Sequence, residues 1–240
     1  MINNAHQVMP CLTTKSTPVE YRTVSPALTK VRQVFFKMER VSIYIDGANF
    51  YYGIKSIDLK YTDFRFDFEK YIKKIVKNRK LIDIYYYNAS LKQQKNPEIF
   101  KKQQKFFERL RKIPNFKVIL CKRQRRVNDD GEESFNIKGD DIHLAIDMLK
   151  DAYENKYDSA ILISGDGDFA PLVEYVKAKG KKVENYHFEK CISFDLIKEC
   201  NSTFVIDKKT VNKFFYRGDF ILKIGSNIKR KFIHTKEQIK

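Results

Sequence analysis

Three observations predict an α/β fold for this chain, with a mainly parallel sheet of about five to six strands flanked by helices. From residue 40 onward, short apolar runs alternate with amphipathic stretches of helical length, the pattern left by repeated strand–helix–strand crossovers. Two of the apolar runs end in acid beside glycine: Val41–Ile45 is followed by Asp46-Gly47-Ala48-Asn49, and Ala160–Ile163 by Ser164-Gly165-Asp166-Gly167-Asp168. In open parallel sheets ligands bind beyond the carboxyl ends of the strands, which is where both turns fall. The third observation is length: 240 residues bury one sizeable core.

Residues 1–37, rich in Ser, Thr and Pro, carry no periodicity and are expected to be disordered and outside the fold. Strands are expected at 41–45, 81–87, 116–121, 159–164, 182–187 and 203–206. The helices expected between them are 66–78, 97–112, 140–154, 169–179 and 193–199. Pro97 suits a helical first turn and Gly180 a C-terminal cap. Residues 122–138 break the alternation, and Asn128-Asp129-Asp130-Gly131 reads as the turn of a hairpin or as a loop. The domain is therefore expected to span 38–207. Beyond it, 208–240 form a basic C-terminal extension whose Phe214, Phe215, Phe220, Ile221, Leu222 and Ile224 suggest some ordered packing.

Net charge is +17, and most of it lies in the tails: residues 1–37 contribute +4 and residues 208–240 contribute +8. Such an excess of Lys and Arg favours a phosphate polymer as partner through counterion release. A small-molecule phosphatase would leave that charge unused. No apolar run approaches the roughly 20 residues a membrane helix requires. Cysteines at 11, 121, 191 and 200 form no CxxC pair, which argues against a structural zinc site or a disulfide framework and for a cytoplasmic, reducing setting.

The carboxylates carry the chemistry. Crowded acids repel unless a cation or proton lies between them, and a cluster without His or Cys suits Mg²⁺ or Mn²⁺. Taken singly, each acid has a plainer reading. Asp46 and Asp166 are ordinary turn residues, Asp168 an N-cap, and Asp140 or Asp141 a helix cap. Three acidic turns together, with Lys138-Gly139-Asp140-Asp141 opening a helix, point to a metal site. At about 100° per residue, Ile142, Ala145, Ile146, Met148 and Leu149 are expected to form the buried face of that helix. Asp140, His143, Asp147, Lys150 and Asp151 then fall on the other side. Asp141 projects toward the buried side and needs a partner there. Asp147 is explained equally well by a surface pair with His143, itself read as a helix-surface residue. Asn49 reads as an orienting hydrogen-bond donor, and Tyr51 and Tyr52 as candidates to stack unpaired bases.

Three segments, Tyr44-Ile45-Asp46-Gly47-Ala48-Asn49-Phe50, Lys138–Asp141 running into Leu144–Leu149, and Ile163–Val173, together resemble the NYN domain, LabA-like branch, of the PIN-like nuclease superfamily. The resemblance covers roughly residues 40–207. It implies a Rossmann-like (PIN-like) sheet whose acidic divalent-metal site cuts RNA. Asp46, Asp141, Asp166 and Asp168 would bind the metal. Asn49 and Ser164 would support them, and Asp140 or Asp147 could join. The expected activity is that of a metal-dependent endoribonuclease on single-stranded or loop RNA, with Lys122, Arg123, Arg125, Arg126, Lys138 and the C-terminal tail holding phosphates. A protein partner or a second copy could deliver the substrate. The rival expectations are a non-catalytic RNA-binding or regulatory module and a DNA-directed nuclease of the same superfamily.

Overall fold

The computed structural model describes residues 37–91, 96–127 and 133–216, with the side chains of 122–138 outside the description. The chain divides into two units, Met1–Lys37 and Met38–Lys240. All of the first except Lys37 lies outside the described residues, and the fold is that of the second.

Strand β1 (Arg40–Asp46) leads into helix α1 (Gly47–Ile57), and α2 (Phe68–Val76) precedes β2 (Lys80–Ala89). Helix α3 (Pro97–Arg111) connects to β3 (Phe116–Val127), which turns back into β4 (Glu133–Lys138). Then come α4 (Asp140–Tyr153), β5 (Ser159–Ile163), α5 (Ala170–Ala178), β6 (Lys182–Phe188), α6 (Phe194–Glu199), β7 (Ser202–Ile206) and α7 (Lys208–Phe214). The sheet order is β4-β3-β2-β1-β5-β6-β7. All neighbours are parallel except the β3–β4 hairpin. This is the predicted α/β fold, with a seventh strand because Lys122–Val127 and Glu133–Lys138 pair antiparallel.

Capping explains most helix boundaries. Asp67, Asn96, Ser193 and Asp207 each accept a backbone N–H in the first turn of α2, α3, α6 and α7. The helix expected over 66–78 is shorter because Asp67 caps it and Lys77 leaves it at φ 56°. Helices α1 and α7 were not expected. In α1 the Asp-Gly start reads locally as a turn, yet Asp46 serves as its N-cap and accepts from the Asn49 N–H at 2.9 Å.

The core lies on both faces of the sheet. On one, Phe50, Phe66, Phe68, Tyr71, Phe106 and Phe107 from the α1–α3 side pack on Val41, Ile43 and Ile45 of β1, and Val211 and Phe214 of α7 join them. On the other, Leu144 and Met148 of α4, Val173 and Val176 of α5, and Leu196 of α6 pack on Ala160, Leu162 and a layer of tyrosines. In that layer Tyr44 stacks on Tyr85 at 5.2 Å.

The tyrosines correct the expected orientation of α4. Its buried residues are Asp140, Leu144, Met148, Asp151 and Ala152, whereas Ile142 and Ile146 are 63% and 57% exposed. Tyr44 Oη donates to Asp151 Oδ2 at 2.8 Å and Tyr87 Oη to Asp147 Oδ2 at 2.9 Å. Hydroxyl donors beneath the helix satisfy its acids, so the carboxylate stripe turns inward and the isoleucines outward. Asp141 is accordingly exposed rather than turned toward the core. Asp147 pairs with Tyr87, not with His143, which is exposed as expected.

Candidate acidic site

Strand β1 is central, with β2 on one side and β5 on the other. Chain progression reverses between β1 and β5, which makes the gap at their carboxyl ends the topological switch point. Ile45 and Ile163 pair in register, so Asp46 and Ser164 leave the two strands side by side.

Asp46 is buried, and both of its oxygens are held. Oδ1 accepts from the Asn49 N–H, and Oδ2 accepts from Ser164 Oγ at 3.0 Å. Ser164 Oγ also accepts from the Asp166 N–H at 3.1 Å. Asn49 Oδ1 accepts from the Gly165 N–H at 3.1 Å, tying α1 to the turn after β5. The side chain predicted to orient by donation thus orients by accepting, while its backbone donates. Asp166 Oδ1 accepts from the Asp168 N–H at 3.0 Å and opens the short 3₁₀ turn Gly167–Phe169.

The glycines are required by close approach. A Cβ on Gly165 would come within 1.4 Å of the Cys191 carbonyl oxygen, and one on Gly167 within 2.6 Å of Ser193 Oγ. On the opposite wall, a Cβ on Gly47 would meet the Tyr87 carbonyl oxygen at 2.4 Å.

Electrostatics join the acids. Burial pushes the Asp46 carboxyl up to about 7, against the hydrogen bonds from Asn49 and Ser164 and helped by the charges of Asp141 and Asp140. Asp141 is exposed as a residue, yet partial burial of its carboxyl and the charges of Asp140, Asp166 and Asp168 push it up to about 6. Asp46, Asp140, Asp141, Asp166 and Asp168 therefore share one neighbourhood. Among the described residues no Lys or Arg forms an ion pair with any of the five. Asp147 is held by Tyr87.

Sequence reasoning missed the support behind Ser164. Asn185 on β6 donates from Nδ2 to the carbonyl oxygens of Ser164 at 2.7 Å and Leu162 at 3.3 Å. Its Oδ1 lies 2.8 Å from His187 Nδ1, so that nitrogen carries the proton and Nε2 is left buried without a partner. Burial holds the His187 pKa down, in keeping with a neutral ring. A polar Asn and His alternating with Val183 along a buried strand was the signal available.

An all-carboxylate donor set fits a hard divalent cation. Among the described residues, however, no three Asp, Glu, His or Cys side chains are gathered closely enough to hold an ion. The chemistry of the set suits a metal; the side chains are not closed around one. The side chains of Lys122, Arg123, Arg125, Arg126 and Lys138 lie outside the described residues, although their strands pair with Lys122 opposite Lys138.

The profile of the NYN domain matches residues 40–207, from the first strand to the end of β7. The chain belongs to the NYN domain family. Its sheet is the α/β fold of the PIN-like nuclease superfamily, and a nuclease superfamily implies a nucleic-acid substrate. Among solved structures, a protein of unknown function from Vibrio parahaemolyticus is 26% identical, with a TM-score of 0.58 over 75% of this chain and 97% of that one. A nicotinic acid mononucleotide adenylyltransferase from Plasmodium falciparum aligns at 10% identity over 70% of this chain and 74% of its own, with a TM-score of 0.29, a value typical of unrelated folds. No curated protein matches. The matched span contains every acid of the cluster described above. Among the described residues no helix is long and apolar enough to cross a membrane.

Proposed function

We propose that this NYN domain protein, of the LabA-like branch, is a divalent-metal-dependent endoribonuclease. It hydrolyses phosphodiester bonds in single-stranded or loop RNA in the cytoplasm. One observation carries the reading. A buried Asp46 at the switch point, pushed up to about 7, is held through both oxygens among acids that have no basic partner among the described residues. A protein retains such an uncompensated cluster at a cost in stability, and perturbed acids in a cleft mark functional sites.

Asp46, Asp141, Asp166 and Asp168 would hold Mg²⁺ or Mn²⁺, which when bound activates water and neutralises charge on the scissile phosphate. Ser164 and Asn49 fix the direction of the Asp46 carboxylate. Asp140 supplies negative charge from the buried side of α4. Asp141, exposed at the opening of α4 beside Asp140 and within reach of the charges of Asp166 and Asp168, completes the metal-binding group or positions the attacking water. Lys122, Arg123, Arg125, Arg126 and Lys138 hold the polymer through its phosphates.

Labelled single-stranded RNA incubated with Mn²⁺ or Mg²⁺ tests this reading against EDTA and an Asp46→Asn variant. Cleavage abolished by both controls supports it. A 2′-deoxy substrate cut equally well would instead favour the DNA-directed nuclease. A second reading is a non-catalytic RNA-binding module, which the net charge of +17 would serve equally well. That module would bind with steep salt dependence and show no metal-dependent turnover.

A further inference from the structure

Two exposed aromatic side chains are carried by the segments that hold the acidic turns, helix α1 after Asp46 and the start of α6 beside the Gly165–Gly167 turn. Helix α1 starts at Asp46, and its buried face is set by Gly47 against β2 and by Gly53 against the Phe188 ring, where a Cβ would come within 2.1 Å. With that face fixed, Tyr52 emerges one turn beyond Asn49 and is 67% exposed. Its rise from Asp46 is about 9 Å along the helix. Tyr51 lies against it at 5.3 Å, half-buried and covered by Lys55 Nζ at 4.6 Å from the ring centre. The segment Cys191–Ser193 is packed on the Gly165–Gly167 turn, and the next residue, Phe194, is 74% exposed. Neither ring contributes to the core clusters. Large apolar side chains exposed outside the core mark a contact surface.

We infer that Tyr52 and Phe194 form a two-sided stacking clamp for unpaired bases on either side of the scissile phosphate. The inference rests on the reading of the acidic crevice as a site for single-stranded nucleic acid, and it adds the residues that select unpaired substrate. Aromatic faces accept any base, so the clamp is sequence-tolerant, and a duplex keeps its bases stacked inside and cannot offer them. The ammonium of Lys55 lies on the same exposed side of α1, where a neighbouring phosphate would pass.

The test uses full-length protein carrying Asp46→Asn, so that RNA binding is measured without turnover. Fluorescence anisotropy with a labelled oligouridylate gives Kd across a salt series for this parent and with Tyr52→Ala, Phe194→Ala, Tyr52→Phe and Phe194→Tyr added. Stacking is worth roughly 1–3 kcal/mol per base. Each alanine change is therefore expected to weaken single-strand binding about tenfold, while the aromatic replacements keep parental affinity. The slope of log Kd against log salt should not change, because no phosphate contact is lost. A blunt RNA duplex should bind all five proteins equally. Unchanged single-strand affinity in both alanine variants overturns the clamp, as does a parent that binds no single strand. Aromatic-dependent binding by a protein whose unmutated form cuts nothing would sustain the clamp while ending the nuclease reading.

Discussion

Ser164 donates its hydroxyl proton to Asp46 across the gap between β1 and β5, at 3.0 Å, and accepts the Asp166 N–H with the same oxygen. One atom thus connects the acid of the first strand to the acid of the turn after the fifth. The bond favours the charged form of Asp46 and opposes its burial. Ser164→Ala should therefore move Asp46 further up in the metal-free protein, by about one unit or more, as read by NMR titration of the carboxyl in EDTA. That follows because a hydrogen bond to a charged group is worth about 1.5–3 kcal/mol and one unit is 1.36 kcal/mol. An unmoved titration would show that the hydroxyl is not a determinant.

Stability should depend on pH through the same residue. Asp46 is raised from 3.8 to about 7 on folding, and buried Asp63 from 3.8 to about 6. A raised carboxyl binds its proton more tightly in the folded state. Its contribution is complete below pH 4 and is lost as pH rises through the folded value. In EDTA, thermal stability is expected to fall between pH 4 and pH 7. Asp46→Asn should flatten part of that fall and stabilise the protein at pH 7.5, by an amount on the order of a few kcal/mol. Thermal melts of the two proteins across that range check it.

Removal of the support behind the turn should also be visible. Asn185→Ala leaves the Leu162 and Ser164 carbonyl oxygens and His187 Nδ1 without their partner. A loss of about 1–3 kcal/mol in urea unfolding is expected. Under the proposed function, kcat should fall with little change in KM, since Asn185 is buried beneath the turn and does not face substrate.

Two glycines should respond differently to alanine. At Gly165 the new methyl would overlap the Cys191 carbonyl, so either the turn or the Cys191–Ser193 segment must shift. Loss of activity and of several kcal/mol is expected there, within the upper range for overpacking. Gly180 has φ +71° and open space around it, so alanine there should cost only about 1 kcal/mol, from backbone strain. Urea unfolding of both variants decides between packing and conformation at each position.

The sequence showed the sheet well because its strands are continuous apolar runs bounded by turn residues, and because each acidic turn sits at a strand end. It did not show α1. The Asp-Gly-Ala-Asn start has the local chemistry of a turn, and the two glycines needed for contact with Tyr87 and Phe188 lower helix propensity. It misjudged α4 for a different reason. Ile142 and Ile146 look like a buried face until Tyr44 and Tyr87, distant in sequence, supply hydroxyls to Asp151 and Asp147. Asn185 and His187 escaped notice because Asn185, two strands away from Asp46, holds the carbonyls at the end of β5 with His187 behind it, a relationship that only the register of β5 and β6 creates.

The most direct test of the central claim is metal-dependent cleavage of single-stranded RNA by the wild-type chain and by Asp46→Asn, each purified identically. Cleavage by the wild type with Mn²⁺ or Mg²⁺, absent in EDTA and reduced at least a hundredfold in the variant, is the expected result. Equal cleavage by the two proteins, or none by either alongside intact folding and RNA binding, would contradict it.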